Sequence, residues 1–107
     1  MPTVYDKLIR DRIPEIMDEA GVEYVVETMD DEAFASSLRA KLIEEASEVA
    51  QADSNVGLAK EVADLLEVAL ALLAVHGLAV ADVETVRKKR REERGGFDRR
   101  LLLLETT

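Results

Sequence analysis

Five acidic residues form the pattern in this sequence that is best suited to chemistry. Glu44, Glu45 and Glu48 lie close together, and twelve residues follow before the pair Glu61 and Asp64. Residues three or four positions apart lie one turn apart on the same side of a helix, so their side chains can reach a common point. Carboxylate oxygens are the ligands that hard divalent cations such as Mg²⁺ prefer.

Two long helices are predicted to position these acids. Asp30 is a typical N-cap residue, and the apolar periodicity after it predicts a helix over about 31–53. A turn with Gly57 leads into a second helix over about 58–76, which Gly77 ends. The short turn makes the two helices antiparallel neighbours.

Both acid pairs lie beside apolar packing faces. At 100° per residue, Glu45 lies about 60° from Leu42 in the apolar stripe of the first helix. Glu61 and Asp64 share a face with Val68, which is on the second helix. Two interpretations remain open: solvated acids that the helix dipole favours, or ligands of a cation between the helices.

The second helix is apolar nearly all round, because Glu67 is its only polar residue between Leu65 and Val75. Such a helix is expected to be buried. A chain this short has too little surface of its own to cover the helix. We therefore expect a partner, and a symmetric homodimer is the simplest closed arrangement.

The remaining chain adds shorter elements. Pro14 suits the first turn of a short helix that ends at Gly21. A third long helix is predicted over about 81–94, and alternation over 22–28 predicts a short strand that pairs with 99–104. We expect one domain, residues 1–107, with a mainly all-α fold. It is a bundle of three long helices and a short N-terminal helix, with a small two-stranded ribbon, completed by dimerisation.

Composition excludes several functional classes. The formal net charge is −9, although residues 87–100 carry +5 and the other 93 carry −14. An acidic body repels a phosphate backbone, so we expect no nucleic-acid partner. The longest uncharged run, Val68–Ala81, has 14 residues, fewer than a membrane span needs. The chain has no cysteine, which excludes thiolate chemistry and, with the absence of a signal sequence, favours a cytoplasmic protein.

Four ordered blocks of sequence resemble one family. Glu44-Glu45-Ala46-Ser47-Glu48 and Glu61-Val62-Ala63-Asp64 resemble the EExxE…ExxD signature of the MazG-like all-α nucleoside triphosphate pyrophosphohydrolases. The four blocks that resemble the phosphoribosyl-ATP pyrophosphohydrolase-like branch, in the same order, are Lys7-Leu8-Ile9-Arg10-Asp11-Arg12-Ile13-Pro14-Glu15, Lys41-Leu42-Ile43-Glu44-Glu45, Ala63-Asp64-Leu65-Leu66-Glu67-Val68 and Arg94-Gly95-Gly96-Phe97. The resemblance extends from about Tyr5 to Leu104.

The resemblance implies an activity and a set of site residues. Members hydrolyse the α–β bond of a nucleotide to the monophosphate and pyrophosphate, with Mg²⁺ or Mn²⁺. By analogy, the metal ligands are Glu45, Glu48, Glu61 and Asp64, and Glu44 orients or deprotonates the attacking water. The substrate-binding cations are Lys7, Arg10, Lys89, Arg90 and Arg94. Relatives form dimers, some of which pair further into tetramers.

The first hypothesis is a nucleoside triphosphate pyrophosphohydrolase that removes non-standard or surplus nucleotides. Two alternatives remain open. One is the phosphoribosyl-ATP pyrophosphohydrolase of histidine biosynthesis, which the same branch resembles. The other is a non-catalytic helical interaction module that has kept the scaffold. Because all four implied metal ligands are present, the sequence favours an enzyme over the module.

Overall fold

The computed structural model describes residues 1–107 and consists of four helices with no strand. The helices are α1 (Ile13–Glu19), α2 (Asp31–Gln51), α3 (Asn55–Val75) and α4 (Val80–Arg94). This confirms the predicted all-α class and the order of its helices.

Helices α2 and α3 form an antiparallel hairpin, and side-chain caps fix where each one begins. The Asp30 carboxylate accepts a hydrogen bond from the Ala33 amide at 2.8 Å, and the Ser54 hydroxyl accepts one from the Gly57 amide at 3.0 Å. Each cap satisfies an amide that has no partner inside the helix. Only Ala52–Ser54 separate the helices, so α3 starts three residues earlier than the predicted Leu58.

Glycines end α1 and α3 in the same way. Gly21 and Gly77 both adopt a φ of 71°, a left-handed conformation that glycine takes without steric cost. After Gly77, the Leu78 amide donates to the Leu73 carbonyl at 2.9 Å, and the Gly77 amide donates to Ala74 at 3.1 Å. These bonds satisfy carbonyls at the end of the helix and turn the chain sharply.

The core is small and lies between α2 and α3, the one pair of helices that packs extensively. Leu38 is 2% exposed and Val68 is 7% exposed. Helix α4 leaves α3 with a bend of 111° and lies apart from the hairpin. The radius of gyration is therefore 18.5 Å, against about 13 Å for a compact domain of this length.

The predicted ribbon is wrong, because neither segment forms a strand. The Val22 amide donates instead to the Met17 carbonyl at 2.9 Å, as part of the cap that ends α1. Alternating apolar residues favour an extended chain, but a strand also needs a neighbour that receives its backbone hydrogen bonds. The run Leu101–Leu104 is exposed and supplies no such neighbour.

Helix α3, which was expected to be buried on all sides, is buried on only one side in a single chain. One face of α3 packs on α2, but Leu58, Val62, Leu66 and Leu70 have exposed fractions between 36% and 56%. Their spacing of four residues places them in one stripe along the helix. The hairpin has no third helix to cover this stripe, since α4 bends away.

No single helix has both the length and the apolar composition to cross a membrane. Helices α3 and α4 meet the criterion only when taken together, across their 111° bend, and the core helix of a bundle has a similar composition.

Candidate metal centre

Helices α2 and α3 bring acids from both predicted pairs to one point. One carboxylate oxygen each from Glu45, Glu61 and Asp64 lies within 4.8 Å of the other two. Glu48 lies near them, since the neighbouring carboxyl groups of Glu61 and Glu45 raise the pKa of its own carboxyl group. We call these four residues the carboxylate cluster, and all four were predicted as metal ligands.

Two oxygens of the cluster are buried without a hydrogen-bond partner: Glu45 Oε2 and Glu61 Oε2. Glu45 is 7% exposed, as buried as Val68 in the core. A buried carboxylate oxygen that has lost its water and gained no partner carries a large free-energy cost. Positive charge placed between these two oxygens would remove that cost, so the arrangement fits a cation.

Two lysines on the same helices already compensate part of the negative charge. Lys41 Nζ lies 3.8 Å from Glu45 Oε1. Lys60 Nζ lies 3.3 Å from Glu61 Oε1 and 3.8 Å from Asp64 Oδ2. Neither lysine was among the predicted site residues. The signal that could have identified them is their spacing, because each precedes an acid of the cluster by four residues.

The N-terminal segment contributes two more cations. Lys7 Nζ lies 2.8 Å from Glu44 Oε1, and an Arg10 guanidinium nitrogen donates to Asp64 Oδ1 at 2.9 Å. The Lys7 ammonium holds the pKa of the Glu44 carboxyl below its ordinary value, so Glu44 is ionised. Both cations were predicted to bind substrate, and here they bind acids of the site.

The basic residues predicted on α4 are not brought to the cluster. Lys89, Arg90 and Arg94 lie on the helix that bends away from the hairpin. Lys89 pairs with Glu93 at 3.9 Å within its own helix. In a single chain these three cations therefore lie away from the acids, although the family resemblance implies that both belong to one site.

The sole histidine lies at the opposite end of the hairpin from the cluster. His76 is the C-cap residue of α3, as its position before Gly77 predicts. Its Nε2 lies 3.4 Å from an Arg39 guanidinium nitrogen, in an open groove of about 480 Å³. No acid of the cluster lines this groove. The candidate functional site is therefore the carboxylate cluster and not the groove.

The cluster makes a testable prediction about pH. The hydrogen bond with Glu61, and then the negative charge of Glu45, raise the pKa of the Glu48 carboxyl above its ordinary 4.5. The folded protein thus binds a proton more tightly than the unfolded chain, and its free energy of unfolding falls as pH rises through that raised pKa. We expect metal-free Glu48→Gln, which cannot ionise there, to melt at a higher temperature than the wild type at pH 7.

Thermal unfolding in EDTA between about pH 4 and pH 8 tests this prediction. The melting temperatures of the two proteins should converge towards pH 4, where Glu48 is mostly protonated in both the folded and the unfolded state. Glu67→Gln is the matched control, since Glu67 is exposed and outside the cluster. A Glu48→Gln protein that melts below the wild type at pH 7 would contradict the account.

Comparisons with known proteins show which sequences this chain is similar to. A profile of the phosphoribosyl-ATP pyrophosphohydrolase family, PRA-PH, matches residues 3–91. An uncharacterized protein of Mycolicibacterium smegmatis (strain ATCC 700084 / mc(2)155) is 42% identical over 48 residues. Those residues are 45% of this chain and 49% of the relative, so the match spans about half of each protein. No solved structure matches the chain.

The family match includes every acid of the cluster and the N-terminal cations that pair with acids of the site. It covers α1, α2 and α3 completely and most of α4. A match over this much of the sequence, with the acids together in space, agrees with the resemblance read from the motifs. The chain therefore belongs to the phosphoribosyl-ATP pyrophosphohydrolase family.

Proposed function

We propose that this protein hydrolyses the α–β phosphoanhydride bond of a nucleoside triphosphate and releases the monophosphate and pyrophosphate. The observation that carries the proposal is the pair of buried, unpartnered oxygens on Glu45 and Glu61. They lie on different helices, within a cluster of acids that the family match covers completely. The proposed cofactor is Mg²⁺, with Mn²⁺ as a substitute.

The donor set supports a hard cation. Every candidate ligand in the cluster is a carboxylate oxygen, with no histidine or cysteine among them. Oxygen-only sites suit Mg²⁺ and Mn²⁺, and Mg²⁺ commonly shares its coordination with substrate phosphates. Glu45, Glu48, Glu61 and Asp64 would hold the cation.

The residues around the cluster support the same reaction. When bound, the cation would neutralise charge on the polyphosphate and acidify a water molecule. Glu44 directly precedes the cluster acid Glu45 in the sequence. It is ionised, and its side chain is 41% exposed, so it is open to solvent. Such a carboxylate can orient a water molecule and accept its proton. No covalent nucleophile is needed.

We further propose that the active form is a homodimer in which the exposed stripe of α3 is covered by a second copy. The single chain leaves Leu58, Val62, Leu66 and Leu70 exposed. It also leaves the basic helix α4 detached from an otherwise acidic body. A second copy would cover the apolar stripe and offer its α4 to the acidic site. Lys89, Arg90 and Arg94 would then contact substrate phosphates across the interface.

Substitution in the stripe tests the dimer. Leu66 is 56% exposed in the single chain, so Leu66→Glu should change the stability of a monomer by less than about 0.5 kcal/mol. If the stripe is an interface, the same change buries a charge and dissociates the dimer. Sedimentation equilibrium should show a dimer for the wild type and a monomer for Leu66→Glu.

Val56→Glu is the control for this experiment. Val56 is 84% exposed and lies on α3 outside the stripe, so this variant should sediment like the wild type. A wild type that is monomeric at every concentration, or a Leu66→Glu protein that remains dimeric, would count against the interface. A tetramer that dissociates only to dimers in Leu66→Glu would place the stripe at the second interface.

The substrate itself needs a direct comparison. The first candidate substrate is an ordinary or non-standard nucleoside triphosphate. The second is phosphoribosyl-ATP, which the family name suggests. We would measure kcat/KM for pyrophosphate release from phosphoribosyl-ATP and from a panel of ribo- and deoxyribonucleoside triphosphates with Mg²⁺. A kcat/KM for phosphoribosyl-ATP that exceeds all others by about a hundredfold or more would select the histidine-pathway reaction. Comparable or higher values for triphosphates would select the broader activity.

A non-catalytic module predicts a different result. The panel would then give no turnover at all, and the protein would bind neither Mg²⁺ nor Mn²⁺ in a titration. The complete set of four cluster carboxylates in one place argues against this outcome.

A further inference from the structure

Residues 1–12, which we call the N-terminal arm, are held against the hairpin by two ion pairs on different helices. Lys7 binds Glu44 on α2 at 2.8 Å, and Arg10 binds Asp64 on α3 at 2.9 Å. The arm contains no helix. It thus lies beside the proposed metal site and spans both helices that form it.

Besides these ion pairs, the arm is attached only through the partly buried Leu8, and its other residues are exposed. Val4 and Tyr5 are 76% and 77% exposed, so they bury little apolar surface. The side chains of Lys7 and Arg10 are themselves about half exposed. Ion pairs as exposed as these contribute little to stability, and other ions readily displace one of the two partners. The arm can therefore be released without loss of the core between α2 and α3.

The arm also blocks one of the proposed ligands. Asp64 Oδ1 receives the hydrogen bond from Arg10, while Lys60 lies 3.8 Å from Oδ2. Both oxygens of Asp64 therefore face a cation of the protein. Glu45 and Glu61, by contrast, each keep one buried oxygen free. Asp64 can join them as a metal ligand only when one of its two cations moves.

Charge balance indicates which cations move. Lys41 and Lys60 belong to the same helices as their partners and stay within one turn of them. Lys7 and Arg10 are on the arm, and together they supply two positive charges. A divalent cation supplies the same number. One ion can therefore replace both arm cations without changing the net charge of the site.

We propose that the arm and the divalent cation bind the acids of the site alternately, so that the arm is released when the cation binds. Arg10 leaves Asp64, and Lys7 leaves Glu44, when the cluster takes up the cation. The two freed side chains then bind phosphate oxygens of the nucleotide, for which the Arg10 guanidinium can act as a bidentate donor. The inference rests on the proposed function. It predicts that the metal binds first and that the nucleotide binds second.

Calorimetric titrations separate the two roles of the arm. The variant Lys7→Gln/Arg10→Gln should bind Mn²⁺ about three- to tenfold more tightly than the wild type, because Arg10 no longer competes for Asp64 and Lys7 no longer places a positive charge near Glu45 and Glu48. The same variant, saturated with Mg²⁺, should bind α,β-methylene-ATP at least about tenfold more weakly. Arg12→Gln is the control, since Arg12 pairs with Glu15 at 3.2 Å, away from the cluster. It should change neither constant.

A spin label measures the arm directly. The chain has no cysteine, so Val4→Cys provides a single labelling site in the arm. Addition of Mg²⁺ should sharpen the spectrum of the label, and the spectrum of the double arm variant should already be sharp without Mg²⁺.

The two ways to fail are distinguishable. If Mn²⁺ binds the wild type while the label spectrum and the affinity of the double variant stay unchanged, the alternation is overturned and the metal site stands. If the wild type binds no Mn²⁺ at all, the proposed function fails together with the alternation.

Discussion

Replacing Glu61 by glutamine should reduce kcat/KM for pyrophosphate release by about 10²- to 10³-fold. Glutamine keeps the size of the side chain but removes one negative charge of the carboxylate cluster. The buried Oε2 of Glu61 has no partner in the protein. Its Oε1 pairs only with the exposed Lys60, at 3.3 Å, so glutamine breaks one exposed ion pair, which is worth little to stability. Initial rates with saturating Mg²⁺ measure the effect.

Glu67→Gln is the matched control for Glu61→Gln. Both acids are on α3, but Glu67 is exposed and outside the cluster. We expect the control to keep at least about half of the wild-type rate, and both variants to melt as cooperatively as the wild type. Equal losses in the two variants would show that negative charge along α3, rather than the cluster, supports activity.

Replacing Leu38 by alanine should produce the largest loss of stability of any single truncation, about 2–4 kcal/mol. Leu38 is 2% exposed, the lowest fraction in the chain, and lies between α2 and α3. Because the chain has few buried residues, little else can compensate for the cavity. The melting temperature should fall by roughly 10–25 °C.

Leu102→Ala provides the comparison for Leu38→Ala. Leu102 is 82% exposed in the C-terminal segment, so its truncation should cost less than about 0.5 kcal/mol. Denaturant unfolding of both variants, in EDTA and at one protein concentration, measures the difference. A loss below about 1 kcal/mol for Leu38→Ala would mean that the hairpin core does not determine the stability of the fold.

The sequence predicted the helices well because their signals are local. Asp30 and Gly77 mark helix ends through their own side chain or backbone, with no help from distant residues. The apolar stripes then paired α2 with α3, which was enough to bring Glu45, Glu61 and Asp64 together. The cluster could be predicted because all its members lie on the two helices of one hairpin.

Features that depend on distant contacts could not be predicted in the same way. The ribbon failed because alternation over 22–28 says nothing about whether a second strand lies beside it. The direction of α4 depends on the turn after Gly77, and its 111° bend separates Arg90 from the acids. The pairing of Arg10 with Asp64 joins residues 54 positions apart, and no periodicity records it.

The measurement that tests the central claim most directly is ³¹P NMR of the products formed from nucleotide substrates by the wild type, with Mg²⁺ and with EDTA. The substrates are phosphoribosyl-ATP and the triphosphate panel. We expect pyrophosphate and the nucleoside monophosphate from at least one triphosphate, in equal amounts and only with Mg²⁺. Pyrophosphate from phosphoribosyl-ATP alone would keep the site but reassign its substrate. Orthophosphate and a diphosphate, or equal rates in EDTA, would contradict a metal-dependent pyrophosphohydrolase.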